Sequence, residues 1–231
     1  MNRAVCGVLV SMAMAVIGGR AGGQKENSAA RTFRLDSVDG VELVNAKAEV
    51  SNYRGRSAVH LVPLRGRESS DETMMAILTD TDFADGTIEA EVAGAPRAGA
   101  APDNRGFIGI LFRVQGHGSR DEDFYLRPTN GRSDDQLRRN HAVQYESAPD
   151  FPWYRLRKEN PGVYESYADL EAGAWTKMKI VVSGTHARLY VNDAEQPCLI
   201  VNDLKNGETH GQIGFWAHAT TEGYFSNLTV K

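Results

Sequence analysis

Residues 123–168 concentrate side chains whose types could bind or transform a polar ligand. Arg127, Asn130, Arg138, Gln144 and Arg157 carry planar hydrogen-bonding groups, while Trp153, Tyr154 and Tyr164 carry flat apolar faces. Aromatic faces stack on the C–H surfaces of a pyranose, and planar polar groups bond the hydroxyls around it. A glycan or glycoside is therefore the ligand class that this mixture suits. His141 is the natural proton carrier, since histidine alone titrates unaided near neutral pH. Over residues 140–147 strand alternation sets Ala142, Gln144 and Glu146 on one face and His141, Val143 and Tyr145 on the other. Val143 belongs in a core, so Gln144 and Glu146 should face a groove, and Glu146 is the best-placed acid. Asp134, Asp135, Glu159 and Glu165 are the available second carboxylates. An arginine beside such a group keeps it ionised, and each could equally serve only as an ion-pair partner of Arg138, Arg155 or Arg157.

Other chemistries find less support. His60, His117, His186, His210 and His218 are scattered with no metal-ligand spacing, so no transition-metal site is expected. Neither a phosphate-cradling glycine-rich loop nor a Gly-x-Ser-x-Gly elbow occurs. With 26 basic and 30 acidic residues the net charge is −4, which gives no electrostatic footprint for nucleic acid.

The elements that must position these groups read as strands. Residues 87–92 alternate, with Ile88, Ala90 and Val92 inward and Thr87, Glu89 and Glu91 outward. Residues 106–114 are apolar on both faces, as a central strand requires. Residues 177–182 place Met178, Ile180 and Val182 on one face, then turn through Ser183-Gly184-Thr185 into residues 186–191. Residues 213–217 and 224–230 close the chain. Residues 41–50 and 58–64 read as an edge hairpin around Asn52-Tyr53-Arg54-Gly55, and residues 93–105 as an irregular loop. About a dozen strands and no helix imply an all-β sandwich or barrel.

The first 23 residues read as a signal peptide. Arg3 supplies a positive start, residues 4–19 are apolar or small, and Ala21-Gly22-Gly23 offers a cleavage site. The apolar run is too short and glycine-broken for a membrane span, so no transmembrane segment is expected after cleavage. Residues 24–231 then form one exported domain, periplasmic or extracellular. Of the two cysteines only Cys198 lies beyond this leader, in an apolar context that suits a buried, inert thiol.

The order of "FADGTIEAEV", "GFIGILFRV" with "DFYLRP", "GAWTKMKIVVSGTHARLYVND" and "GQIGFWAHATTEGYFSNLTV" resembles the concanavalin A-like lectin/glucanase superfamily. Within it the chain is most similar to secreted bacterial 3-keto-disaccharide hydrolase-like domains, also described as family 16-like or laminin G-like. The matching motifs are residues 109–113, 173–180, 191–193, 211–214 and 225–230. The resemblance implies a jelly-roll β-sandwich of two antiparallel sheets, with ligands on the concave face of one sheet and its rim loops. It also implies a possible structural calcium, to which Asp36, Asp39 or Asp203 could give oxygens.

Every one of these motifs is core or turn, so chemistry must be tested separately. Retaining family 16 glucanases carry Glu-x-Asp-x-x-Glu on one strand. Here the three positions are Ala142, Gln144 and Ser147, so that mechanism is absent. The "E-V-Q-I-x-D" strand of the 3-keto-disaccharide group fits better at Val143-Gln144, although its leading acid is Ala142. Three expectations follow. The first is a carbohydrate-binding or glycan-processing domain using Arg127, Asn130, Arg138, Gln144, Trp153, Tyr154, Arg157 and Tyr164. The second is a hydrolase or lyase on a 3-keto-glycoside using Glu146 and His141. The third is a laminin G-like protein-interaction module.

Overall fold

The computed structural model describes residues 30–70 and 72–231, together with Met1. Apart from Met1, the leader expected over residues 1–23 lies outside the described residues. In chain order the strands are β1 (Arg31–Phe33), β2 (Val41–Val44), β3 (Ala46–Tyr53), β4 (Arg56–Pro63), β5 (Thr73–Phe83), β6 (Gly86–Pro96), β7 (Ile108–Gln115) and β8 (Arg120–Leu126). They continue as β9 (Val143–Ala148), β10 (Glu165–Ser166), β11 (Thr176–Ser183), β12 (His186–Val191), β13 (Leu199–Val201), β14 (Gly211–His218) and β15 (Thr221–Val230).

Two antiparallel sheets stack face to face. The first runs β13-β12-β11-β6-β15-β4-β3, with β1 also paired to β15; the second runs β10-β9-β8-β7-β14-β5-β2. The jelly-roll expectation is thus met, with alternation as its cause. Ile88, Ala90 and Val92 of β6 and Met178, Ile180 and Val182 of β11 point into the space between the sheets. Ile108, Ile110 and Phe112 of β7, Phe124 and Leu126 of β8, and Ile213 and Phe215 of β14 meet them from the second sheet. As expected of a central strand, β7 is buried along nearly its whole length.

Two expectations are corrected. Residues 41–50 are not one strand of a hairpin. Asn45, with φ of 54°, breaks the run, so β2 joins the second sheet and β3 pairs with β4 in the first. Helix is also present where none was expected, and among the described residues all of it lies between Pro128 and Glu159. A 3-10 turn covers Pro128–Asn130, α1 covers Gln136–Asn140 and α2 covers Trp153–Glu159. Asp135 caps α1 by accepting from the backbone N–H groups of Leu137 and Arg138. Both helices are too short for an apolar periodicity to reveal them.

Among the described residues no helix is long and apolar enough to cross a membrane. Cys198 is a free thiol that donates to the Leu189 carbonyl, and burial pushes its pKa up to about 12.

Candidate functional site

The outward face of the second sheet is not a plain solvent surface. Its floor is set by β8, where alternation turns Asp121, Asp123, Tyr125 and then Arg127 away from the core that holds Phe124 and Leu126. Cross-strand neighbours complete it: Glu146 stands opposite Asp123, and Gln144 opposite Tyr125. On the other side Gly109 of β7 lies between Tyr125 and Trp216. A Cβ at Gly109 would come within 2.5 Å of Trp216 Nε1 and 2.7 Å of Tyr125 Cβ. Without one, the Tyr125 and Trp216 rings meet edge to face, their centroids 5.0 Å apart.

Above this floor opens a cavity of about 830 Å³, well within the range of small-ligand sites. The loop before β7 contributes Asp103, Asn104, Arg105 and Phe107; the segment between β8 and β9 contributes Arg127, Asn130, Arg138 and His141. Pro152, Trp153 and Arg157 close one side from α2, and Ser69, Ser70, His218 and Thr220 close the other.

Its hydrogen bonds form two connected chains. In the first, Arg127 donates to the Tyr125 hydroxyl at 2.7 Å and Tyr125 donates to Glu146 Oε1 at 2.9 Å. Arg127 also donates to Gln144 Oε1 and to the His141 carbonyl. In the second, His141 Nε2 lies 3.2 Å from Glu165 Oε1, and Arg157 clasps both oxygens of Glu165 at 2.5–3.0 Å. Arg157 in turn lies 4.8 Å from the centre of the Trp153 ring. With Nε2 turned to the Glu165 carboxylate, the neutral imidazole carries its proton there and leaves Nδ1 as the acceptor.

Burial decides the protonation states. Asp123 is held well above the usual carboxylate range by burial, then by the charges of Glu146 and Asp121. Asp121 is raised to about 7 by burial, with Glu122 and Glu146 adding to it. Burial also raises Glu146, opposed by the Tyr125 hydroxyl, the backbone N–H of Trp153 at the start of α2, Arg127 and Arg157. His141 is lowered, mainly by burial, with Arg157 and Arg127 acting the same way and Glu165 against it. The imidazole is therefore held toward its neutral form.

Of the residues singled out from sequence, Arg127, Asn130, Arg138, His141, Glu146, Trp153 and Arg157 all line this one cavity. Gln144 lies just beneath, fully buried, accepting from Arg127 and donating to the Tyr145 and Tyr164 carbonyls. Asn130 Nδ2 donates to the His141 carbonyl. The structure does not bring Tyr154 or Tyr164 to the cavity. Tyr154 is exposed, while Tyr164 is packed in the core with its hydroxyl donating to Asp203.

His141 departs from the face that alternation assigned it. β9 begins only at Val143, so the residue that follows α1 is free to turn into the groove while Val143 and Tyr145 enter the core. Among the carboxylates, Glu165 holds His141, whereas Glu159 pairs with Arg155 at 2.9 Å outside the cavity.

Asp121, Asp123, Tyr125, Arg105, Phe107 and Trp216 were not foreseen as site residues. The signal existed for two of them: Asp123 and Tyr125 share the parity of Arg127 in "DFYLR". Two of the aspartates that the resemblance offered to calcium are engaged by protein partners. Asp203 already accepts from Lys205 Nζ at 2.6 Å and from Tyr164, and Asp39 is bonded to Ser37. Among the described residues no three His, Cys, Asp or Glu side chains group as metal ligands.

Known proteins with similar architecture share little sequence with this chain. The carbohydrate-binding module CBM66 from Bacillus subtilis superposes with a TM-score of 0.56 at 13% identity, covering 83% of this chain and 96% of the module. A native glycosidic hydrolase gives 0.55 at 11% identity, covering 87% and 95%. The Crh5 transglycosylase in complex with NAG gives 0.53 at 11%, covering 87% and 83%. At these identities the likeness establishes the fold. No curated protein matches the sequence. A family model does, over residues 30–231, nearly the whole of the described chain. This chain belongs to the family of 3-keto-alpha-glucoside-1,2-lyase-like domains.

Proposed function

We propose that the cavity binds a glycoside oxidised to a ketone at C3 and eliminates its C1 substituent, with His141 removing the C2 proton. The observation that carries this is the His141–Glu165 pair opening onto the cavity. A proton next to a ketone needs a neutral, oriented base, and burial together with the Glu165 partner supplies both properties. The C2 proton passes to Nδ1, and the C2–H electron pair enters an enolate whose negative charge Arg127 stabilises. The enolate then collapses to a C1=C2 double bond as the C1–O bond breaks. Glu146, whose carboxyl is raised by burial, is the acid that protonates the departing oxygen. Membership of a lyase-like family supports the reaction class. The absence of the glucanase acids at Ala142, Gln144 and Ser147 argues against double displacement.

The test is turnover of a 3-keto-α-glucoside and its unoxidised parent by wild type, His141→Asn and Glu146→Gln. Only the keto compound should react, with slower release from a C2-deuterated substrate and strong loss in both variants. Equal rates in all three proteins, or no primary isotope effect on a rate-limiting first step, would remove this assignment.

Binding without turnover is the second reading, favoured by the exposed Trp153 ring and by Phe107 at the same rim. Calorimetric binding of neutral glycosides with no product from the keto compound would select it. A protein-interaction role fits less well, because buried charges in a cleft suit a small polar ligand better than a flat partner. In either sugar-based reading we place the domain outside the cytoplasm, on the leader-like first 23 residues. Mass spectrometry of the mature N-terminus after expression in the native host tests that placement.

A further inference from the structure

Among the described residues four arginines line the cavity, and three of them donate to no carboxylate. Arg157 is neutralised by Glu165. Arg127, only 5% exposed, donates to a phenol, an amide and a carbonyl, all neutral. Arg105 donates to the Pro102 and Asn104 carbonyls. Arg138 reaches the Asn130 side-chain oxygen at a long 3.5 Å, and its buried Nε has no hydrogen-bond partner. These cations also feel one another. Arg105 loses basicity first through burial, then through Arg138 and Arg127, with Asp103 opposing.

Guanidinium groups gathered in a partly buried cleft, as half-buried Arg105 and Arg138 are beside buried Arg127, repel one another unless an anion joins them. Among the described residues, the two carboxylates of the cavity walls are Asp103 and Glu146, and burial pushes Glu146 toward its neutral form. Deleting one arginine would have relieved the repulsion, yet three converge where a ligand enters. Guanidinium groups bind carboxylates, sulfates and phosphates through paired, charge-assisted bonds.

We infer that the glycoside taken by this cavity carries an anionic substituent, such as a uronic acid carboxylate or a sulfate ester, docked on Arg105 and Arg138. This rests on the cavity being a glycoside site. It does not depend on whether turnover occurs there. Arg127, tied to Tyr125 and Gln144, is left to face the reacting ring. The anion completes the bonding of Arg138 Nε and orients the sugar from its periphery.

The experiment is calorimetry on the full-length mature protein with two disaccharides of the same linkage. One ends in glucose and the other in glucuronic acid, and a sulfated sugar and inorganic sulfate serve as further probes. The acidic sugar should bind at least about tenfold more tightly. That advantage should shrink as sodium chloride rises from about 0.05 to 0.5 M. Arg105→Met and Arg138→Gln should each reduce the difference between acidic and neutral sugar. Should either variant fail to fold, the salt dependence of wild type still decides the matter. Equal, salt-independent affinity for both disaccharides would overturn the inference while leaving a glycoside site intact. Inorganic sulfate binding as tightly as the acidic sugars would overturn it too, as a free-anion site. No binding of any sugar would remove the glycoside site itself.

Discussion

The outward faces of the two sheets handle charge in opposite ways. On the first sheet each acid meets a base at the surface. Lys177 lies 3.3 Å from Glu89 and 2.6 Å from Asp193, Lys231 lies 3.4 Å from Glu89, and Arg56 pairs with Glu91. Glu89 is held below the usual range by Lys177 and Lys231 despite some burial. On the second sheet acids sit beside acids, as Asp121, Asp123 and Glu146 do, and the segments above it bring Arg105, Arg127 and Arg138 together. Both faces use the same alternation and the same kinds of residue. A charged face that folds for its own stability pairs its charges, whereas unpaired charges held in a cleft mark this face as the candidate site.

The sharpest way to break this contrast is at His141. His141→Asn should lower turnover of a 3-keto-α-glucoside by about 10²–10⁴-fold, with the thermal midpoint little changed. Glu165→Gln should follow, at roughly 10²-fold, because the imidazole loses its orienting carboxylate. Glu165 raises the pKa of His141, so its removal should move the acid limb of the pH–rate profile to lower pH. A limb that stayed in place would mean that Glu165 does not act through the imidazole.

Next comes stability. Asp121 titrates near 7 in the folded protein, against an ordinary value of 3.8. Between those values the folded state holds a proton that the unfolded state has lost. This contribution is therefore complete below pH 3.8 and disappears as pH rises through 7. Asp121→Asn should stabilise the protein at pH 8 by on the order of 2 kcal/mol. The gain should fade toward pH 4, as read from denaturant midpoints at several pH values.

Smaller still, Trp153→Ala should weaken sugar binding by about 1 kcal/mol, measured by calorimetry, through loss of a stacking face and of the cover over Arg157. On the first sheet, Lys177→Ala should change unfolding free energy by less than about 0.5 kcal/mol. A large effect there would erase the distinction between the two faces.

The sandwich was legible because its information is local. Ile88-Ala90-Val92 and Met178-Ile180-Val182 announce their faces by parity, and each faces the core. The segment rich in arginine and aromatic residues was legible as a site by composition, and seven of its side chains do converge. Its short helices were not, since five and seven residues carry too little pattern. Nor was the placement of His141, which depended on where β9 begins rather than on period two. Glu165 was one of four available second carboxylates, and its pairing with His141 and Arg157 was not legible because they lie 24 and 8 positions away in the chain and only folding joins them. The acids of β8 were hidden inside a stretch that otherwise reads as core. Tyr164 shows the reverse error: an aromatic in the right neighbourhood can be spent on packing.

Gly109 gives the groove a property unlike those of its charged walls. The space its missing side chain leaves is filled from opposite sides by Tyr125 and Trp216, so those rings sink into the sheet. The core side of the same strand, Ile108 and Ile110, is untouched by what stands at 109. Position 109 is therefore a depth gauge. A side chain there would meet Trp216 Nε1, Tyr125 Cβ and the Phe124 carbonyl within 2.7 Å, so the depth of the groove and the β7–β8 pairing are set together.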